Sequence, residues 1–196
     1  MARIELTPEA ERTPEQRAVC EEAVSGLRGR IPAPMIAWLR NPELARRGQR
    51  LGELMRYQTT LEPRLSELAI LVTARHWTSH YEWTAHKREG LKAGMDPEVV
   101  AAIAARRPPP ALRDEAERAV YEVSSALLAT RRVPEALYRR GVAALGERGM
   151  VELVGILGYY SLVALTLNAF ELGLPDAFAP ELGAEPGDEP HVATAG

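Results

Sequence analysis

The sequence predicts an all-α protein, and three observations predict it. Proline followed by glutamate recurs four times before apolar periodicity: Thr13-Pro14-Glu15, Asn41-Pro42-Glu43, Asp96-Pro97-Glu98 and Val133-Pro134-Glu135. Proline at the first helical position gives up an N–H that has no partner there. Thr, Asn or Asp before it offers a side-chain cap, and glutamate favours the positive helix end. Apolar residues then recur at steps of three and four, and no convincing period-two run lies between these starts.

Taken in order, the first helix is expected from about Pro14 to Leu27, ending near Gly29, with Val19, Ala23 and Val24 inward. Thr13 and Gln16 have capping-box spacing. Pro34 to Leu39 reads as one or two turns. Asn41 caps a helix with an apolar stripe of Leu44, Leu51, Leu54 and Met55. Pro63 opens a buried helix carrying Leu65, Leu68, Ala69 and Val72. A break near Thr78-Ser79 precedes a helix to about Lys92, stopped at Gly94. Asp96 opens a short helix that ends before Pro108-Pro109-Pro110, the clearest internal boundary. Leu112, Ala116, Val120, Val123 and Leu127 then define an amphipathic helix, followed by Pro134 to Leu145 and Met150 to Leu172. From Pro180 onward the chain is rich in Pro, Gly and acids, which predicts a disordered tail containing His191.

Composition narrows the function classes. A chain of 196 residues fits one domain or two small halves sharing a core, and 46% apolar with 26% charged residues suits a globular protein. A net charge of −3 argues against a general nucleic-acid or anionic-membrane binder. The single cysteine, Cys20, excludes an internal disulfide, a CxxC pair and a cysteine-rich zinc site, and its apolar spacing predicts burial. The first residues, MARIELTPEAERTPEQ, lack the apolar core of a signal peptide, so the default expectation is a cytoplasmic location. Leu153 to Phe170 runs 18 residues without a charge, long enough to imitate a membrane span. Glu152, Glu171, interior Asn168 and the absence of a Lys/Arg bias favour a helix buried in a core or an oligomer interface.

A weak internal echo relates Ser66-Glu67-Leu68-Ala69-Ile70-Leu71 to Val151-Glu152-Leu153-Val154-Gly155-Ile156. It suggests two copies of a helical unit about one core. Each copy sets an acid among apolar residues, and each acid needs a partner.

Chemistry concentrates between Arg64 and Gly94, which holds three of the four histidines and two of the three tryptophans. If Arg75 to Glu89 is helical, Arg75, Ser79, Glu82 and His86 share a face, and His76 and His80 pair on a neighbouring stripe. Glu67, on the preceding helix, could fold back against that face. A carboxylate beside an imidazole is the minimum arrangement for proton transfer near neutral pH. Ser79 and Glu82 also have capping-box spacing. His76 and His80 supply too few companions for zinc, so no metal is expected. Trp77 and Trp83 fit core or pocket walls.

Glu67 followed at +12 by Ser79, at +15 by Glu82 and at +19 by His86 resembles the active-site frame of the carboxymuconolactone decarboxylase family, within the alkylhydroperoxidase D-like superfamily. In the peroxidase branch the +12 and +15 positions are the cysteines of a CxxC. Tyr81-Glu82-Trp83-Thr84-Ala85-His86 is similar to the decarboxylase-branch signature. Val151 to Gly155, Tyr159-Tyr160, Leu167 to Glu171 and Leu174-Pro175 resemble longer members. The resemblance covers roughly Ile31 to Pro175. It implies an all-helical alkylhydroperoxidase D-like domain over 31–178, preceded by an N-terminal helical extension over 1–30 and followed by a tail over 179–196. It also implies a homo-oligomer, a trimer or hexamer, without cofactor.

The peroxidase reading needs an attacking thiolate and a resolving thiol, and neither matching position carries sulfur, although the family label of peroxiredoxin activity extends to such members. The decarboxylase-like reading makes His86 the acid/base, oriented by Glu67 or Glu82. Arg64 or Arg75 would hold a substrate carboxylate, and Ser79 and Trp83 would line the pocket. The substrate would be a small carboxylated lactone or acid whose reaction passes through an enolate, by decarboxylation or isomerisation. The alternative is an oligomer that binds a small molecule without turnover.

Overall fold

Each proline–glutamate start opens a helix in the computed structural model, which describes residues 2–174 and 178–183. Eight α-helices follow a short 3-10 turn at Glu9–Glu11: α1 (Pro14–Ser25), α2 (Met35–Trp38), α3 (Pro42–Tyr57), α4 (Pro63–His76), α5 (His80–Lys92), α6 (Pro97–Ala104), α7 (Glu115–Thr130) and α8 (Glu135–Ala169). No strand occurs among the described residues. Thr13 and Gln16 form the expected reciprocal capping box, and Asn41 and Asp96 cap α3 and α6 by accepting from Leu44 and Glu98 backbone N–H groups.

α4 is the axis of the fold. Every residue from Arg64 to Arg75 is buried, and the helix packs against α3, α5, α6, α7 and α8. A helix buried all round cannot be amphipathic, which is why its apolar residues form no single stripe. α1 and α2 pack on α3, with Val19, Ala23, Met35 and Leu39 fully buried.

The two expected C-terminal helices are present as the two arms of α8, separated by a break at Gly146, whose φ of 71° and ψ of 167° are open to glycine at little cost. It is the one described helix long and apolar enough to cross a membrane, and more than half of its most apolar stretch is buried within the protein. Its inward face carries Leu153, Ile156, Leu157, Tyr159, Tyr160, Val163 and Leu167, while Val151, Val154, Leu162 and Leu165 face outward. Leu44, Leu51 and Leu54 of α3 are likewise exposed and only Met55 of the expected stripe is buried; Val24, expected inward, is exposed too.

The acids of the echoed units find different partners. Glu152 accepts from the Thr60 backbone N–H at 2.7 Å and from Arg148 at 2.9 Å, tying α8 to the loop before α4. Burial pushes its carboxyl up, but these bonds outweigh burial and leave it below its ordinary range. The start of the expected tail is docked: Leu182 is buried, and the Glu181 carboxylate pairs with Lys87 of α5. The rest of that tail, with His191, lies outside the described residues.

Candidate active site

The turn between α4 and α5 sets the site. Ser79 N–H donates to the Ala74 carbonyl at 2.8 Å and Thr78 N–H to the Arg75 carbonyl at 3.2 Å, the bonding pattern of a Schellman helix end. Its left-handed position falls on Thr78, with φ of 47°, where a β-branched residue is strained. Two guanidiniums hold it there, as Arg75 and Arg106 both donate to the Thr78 hydroxyl. Asn168 of α8 donates to the Trp77 carbonyl at 2.8 Å, and the Trp77 indole donates to Ser161 at 3.0 Å. The strained turn folds α5 back along α4, so that His86 meets Glu67.

His86 Nδ1 and Glu67 Oε2 lie 2.6 Å apart, and both residues are buried. The Glu67 carboxylate thereby fixes the ring, leaving Nε2 as the nitrogen available for chemistry. Arg56 of α3 reaches within 3.8 Å of the other Glu67 oxygen. The imidazole packs edge-on against Tyr160, with ring centroids 4.9 Å apart, and Tyr160 packs edge-on against Tyr159.

His86, Glu82, Tyr159, Tyr160, Arg28 and Arg56 line a cavity of about 60 Å³. Glu82 is 2% exposed, and neither of its carboxylate oxygens has a hydrogen-bond partner among the described residues. Burial pushes this carboxyl well above its ordinary value; the nearby Ser79 hydroxyl works the other way but is not in bonding geometry. Burial thus favours the protonated form of Glu82. Burial also pushes the Tyr160 phenol well above its ordinary range, and its hydroxyl is likewise unpartnered. A second, outer pocket of about 420 Å³ is lined by Arg56, Glu67, Leu61, Glu89 and Lys92. Arg56 borders both spaces.

Of the residues the sequence nominates, Glu67, Glu82 and His86 come together. Ser79 sits behind Glu82 as the N-cap residue of α5, yet its side chain makes no capping bond, so the expected capping box is not formed. The others point elsewhere. Arg64 pairs with Asp114 at 3.0 Å and Glu117 at 2.8 Å, at the start of α7. Arg75 donates to the Ala104 carbonyl and to Thr78, because the break at Trp77-Thr78 removes it from the face of α5. Trp83 is 1% exposed on the side of α5 towards α6, where its indole lies 3.5 Å from the Glu181 carboxylate. The same break separates His76 from His80, and the described residues contain no group of three or more metal-ligating side chains. Sequence reasoning missed Arg28 and Arg56, which carry no local signal. The Tyr159-Tyr160 pair entered only through the resemblance to longer family members, with no role in the site assigned to it.

This all-helical architecture is shared with solved structures. An uncharacterised peroxidase-related protein from Silicibacter sp. TM1040 is similar at a TM-score of 0.71 and 16% identity, over 90% of this chain and 92% of that one. The debrominase Bmp8, solved as a cysteine-to-alanine variant in complex with 2,3,4-tribromopyrrole, is similar at 0.65 and 14% identity, over 86% and 89%. A protein of unknown function from Agrobacterium tumefaciens, provisionally assigned as the antioxidant-defence protein AhpD, is similar at 0.62 and 15% identity, over 71% and 95%. The fold is thus alkylhydroperoxidase D-like. Residues 42–133 match the carboxymuconolactone decarboxylase family model. No curated protein matches it in sequence.

Proposed function

We propose that the chamber carries out proton transfer on a small carboxylated lactone or acid, as a decarboxylase or a related enzyme without cofactor. The observation that carries this reading is the Glu67–His86 pair, 2.6 Å apart, whose imidazole lines a cavity shared with Glu82, a carboxyl that burial raises well above its ordinary value. In decarboxylation, the bond to the carboxyl carbon breaks and CO2 leaves. The electron pair moves onto the adjoining carbonyl as an enolate, and a proton returns to carbon. His86, held by Glu67, is the group that delivers this proton. Neutral Glu82 and the Tyr160 hydroxyl are donors for the enolate oxygen, since a buried neutral acid can donate where a carboxylate could only repel. Peroxide reduction has no sulfur to work with in this chamber. Cys20 lies buried in α1, and burial raises its thiol above the ordinary range.

A cavity of about 60 Å³ is far below the roughly 300 Å³ from which ligand pockets ordinarily start. A lactone would therefore need Arg56 to swing aside and join the chamber to the outer pocket. This size favours a second reading, in which the chain binds a compact ligand without turning it over. Release of CO2 from carboxymuconolactone and small β-keto acids, by wild type and His86→Ala, separates the two. Under both readings the exposed apolar faces of α3 and α8 would be covered by further copies of the chain.

A further inference from the structure

We infer that Arg28 forms a subsite for a planar carboxylate on the wall of the chamber. This rests on the proton-transfer reading only in placing the ligand of that reaction. Arg28 follows α1, and its Nε and Nη2 atoms are buried without a partner. These two atoms form the side-on fork of a guanidinium, whose parallel N–H groups match the two oxygens of a carboxylate. Among the described residues no carboxylate pairs with Arg28.

Charge and space agree with that fork. Arg56 stands beside Glu67, and no ion pair to Arg28 occurs among the described residues. Guanidinium nitrogens buried without a partner are costly, and a bound monoanion would supply one. The same ligand would meet the unpartnered Tyr160 hydroxyl and the Glu82 acid, both of which can donate to it. A water needs about 10–15 Å³ of such space, so about 60 Å³ admits a group of about four non-hydrogen atoms, the size of acetate. Arg28 Nη2 and the Tyr159 hydroxyl pack over Gly52, where a Cβ would come within 2.4 Å and 2.0 Å of them. Arg28 and the α8 tyrosines lie outside residues 42–133, so this subsite belongs to the parts of the chain beyond the matched family segment.

The test is calorimetric titration of the full chain with acetate and, separately, with sulfate. Wild type is expected to bind acetate saturably, and Arg28→Gln to weaken binding by about tenfold or more, the usual cost of losing a charged hydrogen-bond partner. Arg28→Lys keeps the charge but not the fork and should also weaken it, as should Gly52→Ala by displacing the Arg28 guanidinium. Circular dichroism checks that each variant folds. Sulfate, tetrahedral and doubly charged, should bind at least about tenfold more weakly than acetate. Absence of acetate binding by wild type, binding by Arg28→Gln or Arg28→Lys as tight as that of wild type, or equal affinity of wild type for sulfate would overturn the assignment. Acetate binding without CO2 release by wild type rejects the proton-transfer reading alone; CO2 release without an Arg28 effect on binding rejects the subsite alone.

Discussion

Replacing Glu82 by glutamine should make stability less dependent on pH, and the sign follows from its burial. The carboxyl has an ordinary value of 4.5 and is raised well above it in the folded chain by desolvation. Between those two values the folded protein holds a proton that the unfolded chain has released. Stability attributable to this group is then fully present below about 4.5 and is lost as pH rises towards the raised value. One proton sets a limiting slope of about 1.4 kcal/mol per pH unit. As pH rises above 4.5 the wild type should lose stability relative to Glu82→Gln, which keeps the shape and never ionises. Urea denaturation of both proteins at half-unit steps above pH 4.5 measures the difference. A difference that does not vary with pH would mean that Glu82 is ionised in the folded chain, and the neutral-acid role would fall with it.

Two further predictions concern groups that the chamber does not use. Arg64→Ala should destabilise the fold by about 3–5 kcal/mol in urea denaturation, because it strands the buried Glu117 carboxylate; Arg64 is 5% exposed. Full stability together with lost ligand binding would instead return Arg64 to a substrate role. Light scattering should find a mass that is a multiple of the 21.6 kDa chain, and Leu162→Glu should lower it by charging the exposed face of α8. A wild-type monomer would contradict the oligomer.

The fold was legible because its punctuation is local. Pro14, Pro42 and Pro97 act through the N–H they lack, and Thr13, Asn41 and Asp96 through caps that reach two or three residues along the chain. Glu67 and His86 were legible as chemistry because an acid within an apolar run demands a partner, and the break at Thr78 turns α5 back towards it. Arg28, Arg56 and Tyr160 were not, since they reach the chamber through packing between α1, α3 and α8 rather than through any spacing. Arg64 misled for a physical reason. It is three residues from Glu67, but at the first turn of α4 its long side chain reaches back to the start of α7. The outward leucines of α3 show the same limit: periodicity finds an apolar stripe without saying whether this chain or another covers it.

The central claim is that His86, held by Glu67, transfers a proton within this chamber. Release of CO2 from carboxymuconolactone and small β-keto acids, compared between wild type and His86→Ala under identical conditions, tests it most directly. Turnover by wild type is expected, with a loss of about 10²–10⁴-fold in the variant. Equal rates, or no turnover by wild type of any of these acids, would contradict it.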